Sequence, residues 1–285
     1  HWATTRRRRY DRLLAFAFDH RSQFTELAET YGRTEADIDH FKRIALDVAA
    51  GTAGLRDGVG LLVDDRLGRS ALHAASDHDM WIGRPIEQSG VFPLAFEKGP
   101  DLGSRLAEWP ANHCVKVLAP IRTDDPADLI AYHESELLRL ADACRQTGHE
   151  FLFEIITGNR GKAAAPEQVL ELMARFYDLG VAPDWWKLEP IEDASFWTAA
   201  GDIVRANDPH LQGIIVLGKE MPDEQLARVF ALSRPEPLVR GFAIGRSIFN
   251  EAAKGWFAGT LDDAAAHDKM KAIYQGLIAA WDNAA

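Results

Sequence analysis

The chain has 285 residues, 47% of them apolar, and a formal net charge of −11. That apolar content fills one barrel-sized core or two smaller ones, and the negative balance excludes nucleic acid as a bulk partner, because neutralising phosphates takes a basic surface. No apolar run approaches the roughly 20 residues of a membrane-crossing helix, and the two cysteines, Cys114 and Cys144, lack Cys-x-x-Cys spacing. The sequence therefore reads as a soluble protein of a reducing, cytoplasmic compartment with no membrane partner.

Residues 1–10 open with His1-Trp2-Ala3-Thr4-Thr5 and four arginines, Arg6 to Arg9. They read as a solvated linker or the remnant of an upstream domain, without an initiator Met or a signal-peptide core. From residue 11 to 285, short apolar runs alternate with helix-length segments. The runs lie at 13–18, 59–63, 92–96, 114–118, 151–156, 185–188, 213–217 and 239–244. Between them, 35–50, 125–147 and 166–179 place apolar residues at helical spacing. Thr34 stands three residues before Asp37 as a capping box, Pro follows Asp125 and Ala165, Ser195 precedes Phe196, and Gly148 and Gly180 stop two helices. Eight strand–helix repeats predict one (β/α)8 TIM-barrel domain. A doubly wound sheet is the alternative, but it calls for a Gly-rich turn after the first strand, where Asp19-His20-Arg21-Ser22 stands instead. The third unit is the least regular, because 81–96 is rich in Gly and Pro. Residues 261–285 read as an extra amphipathic helix with Met270, Ile273, Tyr274, Leu277 and Trp281 on one stripe.

In a TIM barrel the C-terminal strand ends carry the chemistry. The first run ends in Asp19, the second in Asp64 and Asp65, the third in Glu97. The fourth carries Lys116, the fifth Glu154, the sixth Lys187 and Glu189, while the seventh runs into Gly218-Lys219 and the eighth into Gly245-Arg246. This is more charge than packing requires. A lysine inside an apolar run loses solvation, which disfavours its charged form and leaves an amine able to attack a carbonyl. The bland reading is a set of ionic struts tying strands together. Glu154 lies on the pleat face opposite Phe153 and Ile155, so on the lumen side it would meet a lysine. After the eighth run, Gly245 and Arg246 sit where a strand turns into a helix. With Gly218 they form a candidate phosphate cradle, against the alternative of a tight turn with a surface arginine.

Five motifs, Ala17-Phe18-Asp19-His20-Arg21, Val115-Lys116-Val117-Leu118, Phe151-Leu152-Phe153-Glu154-Ile155, Trp186-Lys187-Leu188-Glu189 and Gly241-Phe242-Ala243-Ile244-Gly245-Arg246, occur in the order seen in class I aldolases similar to tagatose-bisphosphate aldolase. The chain resembles that family over most of its length. Pro183-Asp184-Trp185-Trp186-Lys187-Leu188-Glu189-Pro190, Trp81-Ile82-Gly83-Arg84-Pro85-Ile86-Glu87 and His1-Trp2-Ala3-Thr4-Thr5-Arg6 further resemble the aldolase-like domain fused behind a sugar kinase in bacterial myo-inositol catabolism. The resemblance implies cleavage of 5-dehydro-2-deoxygluconate 6-phosphate to dihydroxyacetone phosphate and malonate semialdehyde, with no cofactor and a fused N-terminal kinase as partner. By the same resemblance Lys187 is the Schiff-base lysine, Glu154 the acid/base group, Lys116 a neighbour that tunes Lys187 and orients hydroxyls, and Asp19 a partner of Lys116 or of a substrate hydroxyl. Gly218, Gly245 and Arg246 would take the phosphate. Glu189 joins the substrate-binding set, and Arg21, Arg84 and Lys219 are the candidates for the substrate carboxylate. Lys219 departs from the small or apolar residue expected there.

Two other readings stand beside this one. A non-catalytic phosphosugar-binding barrel could support a fused kinase, and an aldolase could act on another phosphosugar, such as a tagatose or sulfo-sugar derivative. A metal-dependent route needs histidines on neighbouring strand ends, whereas the ten here are scattered, so no metal is expected. Cys114 reads as a small core residue. The oligomeric state stays open, with Trp256 and Trp281 as candidate anchors of a homo-oligomer seam.

Overall fold

In the computed structural model, residues 9–54, 57–97 and 99–284 are described. The opening motif and arginines 6–8 lie outside them. Eight parallel strands, β1 (Leu13–Ala17), β2 (Val59–Leu62), β3 (Trp81–Pro85), β4 (His113–Ala119), β5 (Phe151–Ile155), β6 (Trp185–Leu188), β7 (Gly213–Leu217) and β8 (Val239–Ile244), close into a barrel in chain order. The helices are α1 (Ser22–Thr30), α2 (Glu35–Ala53), α3 (Arg69–Ala75), α4 (Leu102–Leu106), α5 (Ala127–Thr147), α6 (Pro166–Asp178), α7 (Ala194–Asn207), α8 (Asp223–Ser233), α9 (Arg246–Phe257) and α10 (Asp263–Asn283). The chain forms a (β/α)8 TIM barrel. Its internal contacts divide it into two compact units: one holds Ile86–Leu217, Leu232–Arg240 and the segment ending at Tyr10, the other Asp11–Pro85, Gly218–Ala231 and Gly241–Ala285.

In the first unit, β4 to β7 pair side by side. Pleating sends Phe153 and Trp186 outward, where Phe153 meets Phe176 of α6 at 4.8 Å and Trp186 at 5.0 Å, and Trp186 Nε1 donates to the Tyr177 hydroxyl at 2.8 Å. Glu154 and Lys187 consequently face the opposite way. Trp186 is thus part of the helix packing. The expected stops hold: Gly148 and Gly180 have φ of 78° and 88°, a region glycine enters at low cost. Asp125 does not cap α5 but accepts from Arg122 N–H at 2.9 Å, and Asp193, rather than Ser195, caps α7.

In the second unit, Thr34 and Asp37 form the expected capping box at the start of α2. The third strand corrects the sequence reading: it is 81–85, not 92–96. Gly83 and Pro85 made the stretch look irregular, yet Gly83 is there because a Cβ would collide with the Leu62 and Trp81 side chains, and main-chain pairing continues past Pro85, with Ile86 N–H donating to Lys116 O at 3.0 Å. Glu97 is accordingly not a strand end. In the first unit, residues 86–97 form a hairpin excursion, with Glu87 bridging Phe96 and Gln88 N–H donating to Ala95 O at 2.8 Å.

Helix α10 packs on α2 and α9. It buries Met270, Tyr274, Leu277, Ile278 and Trp281, with Ile273 only half-buried. Tyr274 donates to Leu14 O at 2.6 Å, a bond contributing about 1 kcal/mol, and Trp281 lies edge-on to Phe230 at 5.3 Å. Trp281 is therefore spent inside this unit. Trp256 is bonded to Asp263 at 2.7 Å and stacked on His40. Among the described residues, no helix is long and apolar enough to cross a membrane.

Candidate active site

The first unit brings three of the expected residues together. Strand register sets Glu154 beside Lys187 and opposite Leu118, and Lys116, two residues before Leu118, shares that face. One Glu154 carboxylate oxygen lies 3.1 Å from Lys187 Nζ and the other 3.1 Å from Lys116 Nζ. All three residues are at most 4% exposed, so the charges answer to one another rather than to water. A fourth member, Glu87, lies 3.1 Å from Lys116 Nζ and accepts Leu118 N–H at 3.2 Å. The result is an alternating row of carboxylate, ammonium, carboxylate and ammonium. A carboxylate held between two amines can take a proton from a hydroxyl and return it, and the amine at the end of such a row is placed to attack a carbonyl.

Glu189 follows β6 and is fully buried. Its carboxylate accepts from Thr157 N–H at 2.9 Å, Thr157 hydroxyl at 2.6 Å and Gly158 N–H at 3.2 Å. It thus anchors the loop after β5. Arg122, buried after β4, reinforces the same loop by donating to Thr157 O at 2.7 Å and Ala163 O at 3.1 Å.

The remaining expected residues belong to the second unit. Asp19 is buried, 3.9 Å from His20 Nδ1, and its charge acts on Lys42. Arg21 is buried at the N-cap of α1, and its carbonyl accepts from Thr25 N–H at 3.0 Å. Arg84 lies on β3 and pairs with Asp65 at 2.8 Å. Burial pulls its guanidinium below the usual range, and Asp65 pulls the other way. Gly218 has no room for a Cβ against Ile244, and Gly245 none against Ala17 O and His20. Gly245 is the N-cap of α9 and Arg246 its first residue, paired with Glu220 at 3.1 Å. Lys219 and Glu220 both have positive φ, 51° and 57°, in a turn closed by Met221 N–H donating to Gly218 O at 3.0 Å. Consecutive non-glycine residues in that region store roughly 1–3 kcal/mol each.

Three residues escaped the sequence reading. Glu87 follows Pro85 in a stretch without strand character. Glu220 sits in a turn. Lys42 is on α2, completely buried, donating to Asp64 and to His20 O at 2.9 Å, with the Phe24 ring 5.0 Å away. Burial lowers its pKa, and Asp64 opposes the shift. Lys42 had a visible signal: it falls in helical register with Ile38, Ala45 and Ala49 on the apolar stripe. Burial pushes the Cys114 and Cys144 thiols well up, which fits core residues.

A family described as "Uncharacterized protein conserved in bacteria (DUF2090)" matches over residues 1–285. No curated protein sequence matches the chain. Among solved structures, the fold is similar to a fructose-bisphosphate aldolase from Plasmodium falciparum, crystallised with TRAP and a small-molecule inhibitor. That match has 16% identity and a TM-score of 0.68, covering 98% of this chain and 94% of that one. Cgl0159 from Corynebacterium glutamicum is similar at 17% identity and a TM-score of 0.59, with 96% and 91% covered. At such identities the likeness concerns the barrel itself.

Proposed function

We propose that this chain, which belongs to the family described as uncharacterized proteins conserved in bacteria (DUF2090), is a class I aldolase for a phosphorylated keto-sugar acid. The observation that carries the reading is the buried Lys187–Glu154–Lys116 row with 3.1 Å spacings. The substrate most consistent with the sequence motifs is 5-dehydro-2-deoxygluconate 6-phosphate.

Lys187 attacks the C5 ketone and water leaves, giving a protonated imine. Glu154 takes the proton of the C3 hydroxyl, the C3–C4 bond breaks, and its electron pair flows into the imine as an enamine. C3 departs as the aldehyde of malonate semialdehyde. Glu154 then returns its proton to C4 of the enamine, and addition of water to the imine releases dihydroxyacetone phosphate and the free amine. Lys116 orients hydroxyls beside Glu154, and Asp19 holds a substrate hydroxyl. Gly218, Gly245 and Arg246 receive the phosphate, in exchange for the Glu220 carboxylate on Arg246. Arg21, Arg84 and Lys219 are the cations offered to the substrate carboxylate, while Glu189 shapes the loop after β5. A sugar kinase, fused or separate, is the partner that would supply the 6-phosphate.

The test is condensation in reverse, followed by 13C NMR with labelled dihydroxyacetone phosphate. Formation of a six-carbon keto acid phosphate with malonate semialdehyde is expected. Condensation only with a phosphorylated aldose would move the substrate to a ketose bisphosphate. Binding without condensation with any aldehyde would leave a phosphosugar-binding barrel.

A further inference from the structure

Lys116 is shared between two carboxylates, at 3.1 Å from each, and only one of these, Glu154, was expected from sequence. The other, Glu87, is held from several sides. Its backbone bridges Phe96, Ile86 N–H donates to Lys116 O at 3.0 Å, and Glu97 N–H donates to Ile86 O at 2.9 Å. Its second oxygen accepts Leu118 N–H at 3.2 Å. Glu87 is 6% exposed. A carboxylate fixed this firmly sets where the Lys116 ammonium rests.

We infer that Glu87 is a positioning residue of the proposed aldolase: it shares the Lys116 ammonium with Glu154, so that Glu154 stays basic enough to accept a proton. The inference rests on the Schiff-base reading of Lys187. Without Glu87, Lys116 turns wholly to Glu154 and weakens it as a base. Removing one negative charge beside Lys116 also makes its ammonium give up its proton at lower pH.

Two readouts test this in wild type, E87Q and E87D. The first is competitive acetylation of Lys116 and Lys187 with acetic anhydride across pH, resolved by peptide mass spectrometry. It needs no substrate. The second is Lys187-dependent deuterium exchange into dihydroxyacetone phosphate, which reads proton abstraction. In E87Q the Lys116 labelling curve moves to lower pH by about one unit, a tenfold change in equilibrium. Exchange falls about tenfold, with little change in KM, and E87D restores both. In the wild type, Lys116, held by two carboxylates, labels at higher pH than Lys187, held by one; the opposite order overturns the inference even where E87Q does not fold. Superimposable E87Q and wild-type curves also overturn it. If the wild type exchanges no deuterium, the aldolase reading fails separately, and the acetylation curves still decide whether Glu87 governs Lys116.

Discussion

Two buried lysines show how differently one side chain can be used. Lys42, carried by a helix, is sealed: Asp64 and a backbone carbonyl take its ammonium, and Phe24 covers it. Asp64 is itself committed to Leu67 N–H at 2.7 Å. Lys187, carried by a strand, meets a carboxylate that also serves Lys116. Burial is comparable, at 0% and 4% exposure. Burial alone therefore does not mark a reactive amine. A private, saturated partner makes a strut, whereas a shared partner makes a row along which a proton can be redistributed.

The sharpest way to break this comparison is to neutralise the shared carboxylate. Glu154→Gln is expected to slow deuterium exchange into dihydroxyacetone phosphate by about 10²–10⁴-fold while the imine at Lys187 still forms, as read by NMR exchange and mass spectrometry. Lys42→Met should act on stability instead. It leaves Asp64 charged and buried, at a cost of about 3–5 kcal/mol, measured by urea unfolding, with unchanged imine formation in the folded fraction. Adding Asp64→Asn removes that stranded charge yet keeps an acceptor for Leu67 N–H, so the double variant should recover most of the loss. A double variant no more stable than Lys42→Met would contradict the strut reading.

A smaller effect appears with pH. Burial lowers the Lys42 pKa below the usual lysine value of 10.5, so just below pH 10.5 the unfolded chain holds more protons at this site than the folded one. Unfolding free energy therefore rises with pH in that window through Lys42. Subtracting the Lys42→Met stability curve from the wild-type curve should expose this positive slope, and a flat difference would argue against the lowered pKa.

The barrel was legible wherever a strand is an unbroken apolar run, as in 13–17 or 213–217. It was misread at β3, because the close approach that demands Gly83 is made by Leu62, from another strand, and by Trp81. The Lys116, Glu154 and Lys187 row was legible because each charge interrupts an apolar run and the pleat fixes its face. Glu87 was not, since a hairpin rather than a periodic element delivers it. The fate of Glu189 was also hidden: a carboxylate after a strand gives no sign of whether it meets a ligand or, as here, three donors of a neighbouring loop. Motif order pointed to Arg246 but not to Glu220, which reaches it from a left-handed turn.

The most direct measurement is borohydride reduction of the protein with dihydroxyacetone phosphate, followed by peptide mass spectrometry on wild type, Lys187→Met and Lys42→Met. The account predicts one reduced adduct, on Lys187, abolished in Lys187→Met and retained in Lys42→Met. An adduct on Lys116 or Lys42, or none while dihydroxyacetone phosphate still binds, would contradict it.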